Sequence, residues 1–464
     1  MLRKEVFREY DIRGFVKQDF SNENVFVFGK ALGKYLGGTG KKLCVGNDNR
    51  LSSPAIKKAL IEGLVSVGCN VIDLGEVPAP AYYFALYELK ADGGAYVTAS
   101  HNPPEYNGFK VNKGTESVFG KGIQDIRLIM EKYEFPQTES DKEGKLTFYD
   151  IKEDYYASLN RAVTINSKRK LRLAIDCGNG TASTFYPEFL KKIGCEVTEL
   201  YCDSDGNFPN HHPDPTKPDN LKKLIEIVKK ENLDLGAAYD GDGDRLGIVD
   251  NKGNILWGDQ LMIIFARDFL SKEENHGKKV LVEVKCSQGL YEEIKKYRGI
   301  PLFTATGHAL IKDRMNREGI DISGEMSGHM FFKDKYYGFD DALYATCRLL
   351  EILSNQDKEK DKKKLSEIAE TFPKYYSSPE IRVDCPDEKK FEAVKSIKEE
   401  FKNKYDIIDI DGVRFSTPDG WGLIRASNTQ EILVVRYESK TKEGLDKLKK
   451  IIDEAVKKHV GNAL

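Results

Sequence analysis

The chain has 464 residues with 72 basic and 74 acidic side chains, a net charge of −2, and its 31% charged and 40% hydrophobic residues are ordinary for a folded protein. That balance excludes extensive disorder and a dedicated nucleic-acid binder, which carries a basic excess. No run approaches the roughly 20 apolar residues that cross a bilayer, so no membrane partner is expected. The opening MLRKEVFREYDIRG has no apolar signal segment. Eight cysteines without a C-x-x-C pair or zinc spacing read as buried thiols in a reducing cytoplasm. At roughly 150 residues per domain the length predicts about three domains, with room for a fourth.

In chain order, KKLCVGNDNR predicts a short strand ending near Gly46, then a helix capped by Ser52 or Ser53 with Pro54 in its first turn. Ile56, Ala59, Leu60, Gly63, Leu64 and Val67 fall on one face of that helix. GGAYV reads as a strand leading into TASHNPPEYNGFK (98–110), where Asn102, Pro103, Pro104, Asn107 and Gly108 enforce a loop and Lys110 returns on the next strand. The near-continuous apolar run Leu171 to Ile175 suits a strand covered on both faces, followed by a Gly178–Gly180 turn and a helix near 185–193. LDLGAAY predicts a strand ending at Asp240, and VLVEV (280–284) another, leading to a helix near 289–297. The three strand-turn-helix openings are spaced too widely for a solenoid and predict three α/β domains with mixed or parallel sheets. The charge-rich 354–367 stretch reads as a solvated helix end or a linker. Beyond it, EIRVDCP, an amphipathic helix near 387–403, strand-like runs and a Lys-rich helix near 441–458 predict a smaller α+β domain. The expected boundaries are 1–148, 149–254, 255–366 and 367–464.

Four segments could carry chemistry. Ser100 and His101 sit where a strand ends in a loop, and a serine needs an activating neighbour to act as a nucleophile. In DGDGDR (240–245), Asp240, Asp242 and Asp244 would repel one another unless a cation neutralised them, and the intervening glycines let the backbone wrap them around one point. Hard oxygen donors favour Mg²⁺ or Ca²⁺. An EF-hand is excluded, because Arg245 and Asn251 stand where it needs Gly and Glu. Arg245 is placed to bind a phosphate in bidentate fashion. GEMSGH (324–329) presents Glu325, Ser327 and His329, groups suited to sugar hydroxyls and to proton transfer. RASNTQEILVVRYE (425–438) places Arg425, Ser427, Asn428 and Thr429 before a strand, a cradle for phosphate to which Arg436 could add charge. The alternative for each segment is an ordinary turn. His211 and His212, in PNHHPDP, have no Cys nearby and no spaced metal partner, so no metal role is expected of them.

Together these segments, in this order, resemble the α-D-phosphohexomutase superfamily over essentially the whole chain: phosphoserine loop, metal loop, sugar-specificity loop, phosphate loop. FREYDIRG (7–14), with Tyr10 and Arg13, and TGHALIK (306–312), with His308, resemble further family segments. SGEMSGH and GFDDALYATCRLLEIL (338–353) are most similar to bacterial phosphomannomutase/phosphoglucomutase, whereas phosphoglucosamine mutases tend to carry GEQSGH. The resemblance implies a heart-shaped enzyme with three related α/β domains and a smaller α+β domain around a central cleft. It implies a phosphoserine at Ser100 and Mg²⁺ held by Ser100, Asp240, Asp242 and Asp244. It places Tyr10, His308, Glu325, Ser327, Arg425, Ser427, Asn428, Thr429 and Arg436 on the substrate, and His101, Lys110, Arg13, His329 and Arg245 around the reaction. The implied reaction interconverts mannose or glucose 1- and 6-phosphates through a hexose 1,6-bisphosphate that also serves as activator; phosphoglucosamine mutase is the alternative. The expected partners are small sugar phosphates, and the expected state is a monomer or weak homodimer.

Overall fold

In the computed structural model, which describes residues 1–132, 143–166, 169–355, 363–428 and 430–461, four sheets follow one another along the chain. The first is built around Lys42–Asn47, which runs parallel to both Asn70–Glu76 and Gly93–Val97, while Gly93–Val97 turns back antiparallel as Tyr106–Lys113. The second has Arg172–Asp176 parallel to Glu196–Leu200 and Leu235–Tyr239, which turns back as Leu246–Asp250. The third has Lys279–Glu283 parallel to Ile300–Thr304 and Ile322–Gly324, which turns back as Met330–Phe332. The spatial order in all three is second, first, third, fourth. Three repeats of one mixed α/β plan are therefore present, with extra strands such as Ile12–Phe15 and Leu146–Phe148 added at the rims of the first sheet. The fourth sheet is wholly antiparallel, its strands Ile381–Asp384, Val413–Thr417, Gly420–Ala426 and Ile432–Ser439 packed against helices Asp387–Lys402 and Lys442–Val460.

The physical basis is visible in the burial. Five of the six residues of Lys42–Asn47 are buried, as a strand covered by helices on both faces requires. Helix Ser53–Ser66 packs on helix Asn22–Tyr35 so closely that a Cβ on Gly63 would stand 2.2 Å from the Phe26 carbonyl oxygen, so that position must be glycine. Ser52 stands at the N-cap without bonding the helix; its Oγ instead accepts from Asn107 Nδ2 at 2.8 Å, and Ser53 Oγ donates to Asp48 at 2.5 Å. The predicted helix near 185–193 begins as a 3₁₀ turn, Thr181–Thr184, before Tyr186–Lys192. Helix Ala342–Ser354 ends where the charge-rich stretch begins, and residues 356–362 of that stretch lie outside the described residues.

One apolar cluster runs from Cys44 and Tyr96 through Tyr239 to Leu343, joining the first three units in a common core, while the C-terminal unit has its own. No described helix is long and apolar enough to cross a membrane.

Candidate active site

Each of the four loops singled out in the sequence is the connection of an antiparallel hairpin. Residues 98–105 join Gly93–Val97 to Tyr106–Lys113, residues 240–245 join Leu235–Tyr239 to Leu246–Asp250, residues 325–329 join Ile322–Gly324 to Met330–Phe332, and residues 427–431 join Gly420–Ala426 to Ile432–Ser439. In the three α/β units the loop lies beyond the carboxyl end of a strand that pairs in parallel, the usual place for a ligand in such sheets. All four border one cleft of about 520 Å³, within the range of small-molecule sites.

Ser100 adopts a left-handed conformation, φ 49°, which turns its side chain out of the strand direction. Its Oγ donates to Asp240 Oδ2 at 2.7 Å and lies 3.0 Å from His101 Nδ1. Burial, with the charges of Arg245 and Arg13, pushes the His101 pKa well below the ordinary imidazole value, so this ring is neutral. Thr98 Oγ1 accepts from Ser100 N at 2.8 Å and donates to Asp242 Oδ2 at 3.1 Å, tying the serine loop to the acidic one.

Asp240, Asp242 and Asp244 are fully buried, and ligand atoms from the three lie within 4.8 Å of one another. Burial and the other two carboxylates push the Asp240 pKa well above the ordinary range. Lys110 Nζ lies between Asp242 Oδ2 at 2.7 Å and Asp244 Oδ2 at 2.5 Å; burial works against its charge, but these carboxylates outweigh it and raise its pKa. Asp242 Oδ1 is buried without a hydrogen-bond partner, while Asp244 Oδ1 faces the His329 ring at 3.2 Å. An all-carboxylate cluster with an orphaned oxygen fits a hard divalent cation.

His329 Nδ1 lies 2.6 Å from Glu325 Oε2 and its Nε2 lies 3.2 Å from Asp244 Oδ1. Burial opposes the imidazolium, yet Asp244 and Glu325 raise its pKa to about 10, while Glu325, also buried, is held down at about 2 by His329. A proton on each nitrogen then leaves nothing for Arg245 Nε, 3.2 Å from Nε2, to donate to. Glu325 Oε1 accepts from Gly307 N at 2.7 Å, which brings the 306–312 segment to the cleft. His308 is 3.5 Å from both Asp11 Oδ1 and Asp340 Oδ2, and Tyr10 meets its ring edge-on at 5.9 Å. Arg13 donates to Asp11 at 2.8 Å and to Asn102 at 3.0 Å.

On the C-terminal side, Arg425 Nε donates to Asp411 at 2.9 Å and its buried Nη2 has no partner. Ser427 lines the cleft, whereas Asn428 is half-buried and not among the lining residues. Thr429 lies outside the described residues. Arg436 reaches the cleft wall but directs its guanidinium to Asp259, 3.3 Å away, and to the Lys285 carbonyl and Met326 sulfur. Its geometry is that of a strut between the third and fourth units.

Sequence reasoning passed over three groups. Lys285 faces the cleft between Glu283 at 3.6 Å and Glu380 at 3.2 Å, and its place just past the parallel strand Lys279–Glu283 was the available signal. Arg50, fully buried, pairs with Asp48 and donates to the carbonyls of Ser100, Asn102, Pro103 and Tyr106. His212, singled out only to exclude a metal role, hydrogen-bonds the His101 carbonyl, while His211 pairs with Asp176 at 3.1 Å.

Models of the phosphoglucomutase/phosphomannomutase family match the chain in four consecutive parts: α/β/α domains I, II and III over residues 4–137, 153–253 and 257–376, and the C-terminal domain over 380–455. The chain is 41% identical over 458 residues to the phosphomannomutase/phosphoglucomutase of Pseudomonas aeruginosa, covering 98% of this chain and 96% of that one. It is 40% identical over 451 residues to the phosphoglucomutase of Neisseria gonorrhoeae, covering 96% and 95%. The crystal structure of a phosphoglucomutase/phosphomannomutase family protein from Burkholderia thailandensis matches with a TM-score of 0.89 at 35% identity, over 100% of this chain and 99% of that one. Fold and relatives together define a hexose-phosphate mutase, an intramolecular phosphotransferase. The chain belongs to the phosphoglucomutase/phosphomannomutase family.

Proposed function

We propose that this enzyme interconverts the 1- and 6-phosphates of mannose and glucose through a phosphoserine at Ser100 and a hexose 1,6-bisphosphate. The observation that carries the reading is the placement of Ser100 Oγ, 2.7 Å from Asp240 and 3.0 Å from His101, in a cleft that Arg425 and Ser427 also line. A hydroxyl held by a carboxylate and a separate cationic group in one cleft suit a substrate with reacting and non-reacting ends. Relatives named phosphomannomutase/phosphoglucomutase support the substrate pair.

Ser100, Asp240, Asp242 and Asp244 would hold Mg²⁺, which supplies charge neutralisation for a transferring phosphoryl group. The chain's own cations do the remaining electrostatic work. A phosphoserine carries about −1.5 to −2 charges at neutral pH, and a sugar phosphate approaching it is repelled. Arg245 and Arg13, both lining the cleft, offset that repulsion, and Lys110 keeps the acidic loop from adding to it. The bond from phosphorus to Ser100 Oγ breaks as one forms to a free sugar hydroxyl oxygen, and the proton of that hydroxyl is relayed so that Ser100 Oγ ends as a hydroxyl beside the bisphosphate. After that intermediate turns end for end, its other phosphate returns to Ser100. Catalytic bisphosphate therefore acts as activator by phosphorylating the serine. His329, Lys110 and Arg13 are the candidates for relaying the hydroxyl proton, and each is held by carboxylates: His329 by Glu325 and Asp244, Lys110 by Asp242 and Asp244, and Arg13 by Asp11. Glu325 and Ser327 stand where sugar hydroxyls would be read. Eight free thiols support a reducing, cytoplasmic setting.

Arg425→Ala is expected to raise KM by about 10- to 100-fold, the value of charge-assisted hydrogen bonds to a phosphate, with a smaller effect on kcat. Steady-state kinetics check this, and an unchanged KM with a collapsed kcat would remove Arg425 from the distal phosphate.

The function is tested by a coupled assay with Mg²⁺ and catalytic glucose 1,6-bisphosphate on mannose 1-phosphate and glucose 1-phosphate. Turnover of both to their 6-phosphates is expected. Activity on glucosamine 1-phosphate alone would keep the mechanism and replace the substrate.

A further inference from the structure

Two cysteines outside the catalytic chemistry stand side by side. Cys177 follows the end of strand Arg172–Asp176, and Cys202 lies two residues beyond the end of its parallel neighbour Glu196–Leu200. Their sulfurs are 3.4 Å apart and both are free thiols. Cys177 is fully buried, whereas Cys202 is only partly buried, so it is the more accessible member of the pair.

The segment that begins at Cys177 supports the acidic loop. Gly180 N donates to the Cys177 carbonyl at 2.7 Å, and Thr181 donates to the Gly241 carbonyl from both N, at 2.9 Å, and Oγ1, at 3.0 Å. Asn49 of the first unit donates through Nδ2 to the Asn179 carbonyl at 2.6 Å and through N to Thr181 Oγ1 at 3.3 Å. Residues 177–181 thus clasp the acidic loop to the segment that carries Asp48 and Arg50.

We infer that Cys177 and Cys202 form a peroxide-responsive disulfide whose closure disturbs the acidic loop and lowers mutase activity. The Cys202 thiolate attacks hydrogen peroxide: an S–O bond forms, the O–O bond breaks, and the leaving oxygen departs as water after taking a proton. The Cys177 sulfur then attacks the sulfenic sulfur of Cys202: the S–S bond forms, the S–O bond breaks, and hydroxide leaves as water with the Cys177 proton. Two thiols have given two electrons to one peroxide, with two waters released. Burial pushes the Cys177 thiol pKa well above its ordinary value, which leaves the first attack to Cys202.

A disulfide brings sulfurs to about 2.05 Å, so the pair must close by roughly 1.4 Å. Cys177 has packed neighbours on every side, and close-packed interiors pass such shifts to the backbone. The backbone it would pull is the 177–181 clasp.

The test is peroxide treatment of the full-length enzyme, blocking of free thiols, digestion and mass spectrometry, with the mutase rate followed in parallel. Expected are a Cys177–Cys202 cross-linked peptide about 2 Da lighter than its reduced halves and a rate loss of about tenfold reversed by dithiothreitol. Cys202→Ser is expected to give no cross-link and to keep its rate under peroxide. A Cys202 converted to sulfinic acid without cross-link overturns the pairing. A cross-link that leaves the rate unchanged, or a Cys202→Ser enzyme inactivated as fast as the wild type, overturns the coupling. Peptide mapping of the unsubstituted enzyme decides the pairing even if the variant folds poorly.

Discussion

Ser100→Ala is expected to remain folded and to lose mutase turnover by about 10⁴-fold or more, the scale seen when a nucleophile is deleted from an enzyme that acts through a covalent intermediate. The loss follows from the chemistry, because no other described hydroxyl in the cleft combines contact with an acidic cluster and a neutral imidazole. Alanine keeps the backbone in the left-handed region at φ 49°, where a Cβ costs about 1 kcal/mol, a cost serine already bears. The thermal midpoint should therefore move by only a few degrees. Ser100→Gly removes the Cβ cost as well and should be at least as stable and equally inactive. The measurement is turnover of glucose 1-phosphate beside a melting curve for both variants. Wild-type turnover by well-folded Ser100→Ala would sink the phosphoserine mechanism, and release of inorganic phosphate by the parent enzyme would point to hydrolysis instead.

The elements were legible where one physical pattern dominated. The run from Leu171 to Ile175 announced a doubly covered strand, and Arg172–Asp176 is one. The alternation of glycine and aspartate in DGDGDR announced a turn gathering charge, and it is a hairpin connection with all three carboxylates buried. What periodicity could not give was pairing order. That the three α/β sheets share the order second, first, third, fourth depends on contacts between strands tens of residues apart, which no local window contains.

The site divides along the same line. Ser100, Lys110 and Asp240 to Asp244 stand out by residue type within short loops, and the structure gathers them. Arg436 also stood out by type, but its partner Asp259 lies 177 positions away and takes up the guanidinium. His212 was passed over for want of metal spacing, yet its role is to hold the His101 carbonyl across two units. Arg50 gave no signal, since NDNR reads as a polar turn. Only the fold shows that this turn is buried against the serine loop.

That burial makes Arg50→Met the second large effect. The guanidinium donates to Asp48 Oδ2 at 3.1 Å and to four carbonyls: Ser100 at 2.8 Å, Asn102 at 2.5 Å, Pro103 at 2.7 Å and Tyr106 at 3.2 Å. With 1% of the side chain exposed, no water replaces it. Methionine fills the volume but removes this donor from four carbonyls, of which that of Pro103 keeps Tyr106 N at 3.0 Å, and leaves Asp48 as a buried charge without its cation. Removing one partner of a buried pair costs about 3–5 kcal/mol, so the melting midpoint should drop by roughly 10 °C. The serine loop loses its anchor, and a shift of about 1 Å at a reacting group lowers kcat by about 10²-fold. Arg50→Lys separates the two effects. Its ammonium can neutralise Asp48 but has three donors and no fork, so it cannot span four carbonyls. Part of the stability should return while kcat stays low. Adding Asp48→Asn to Arg50→Met should likewise recover stability by removing the unpaired charge, without restoring the rate. Full activity in Arg50→Lys would show instead that the loop holds its own shape and that Arg50 serves only the charge on Asp48.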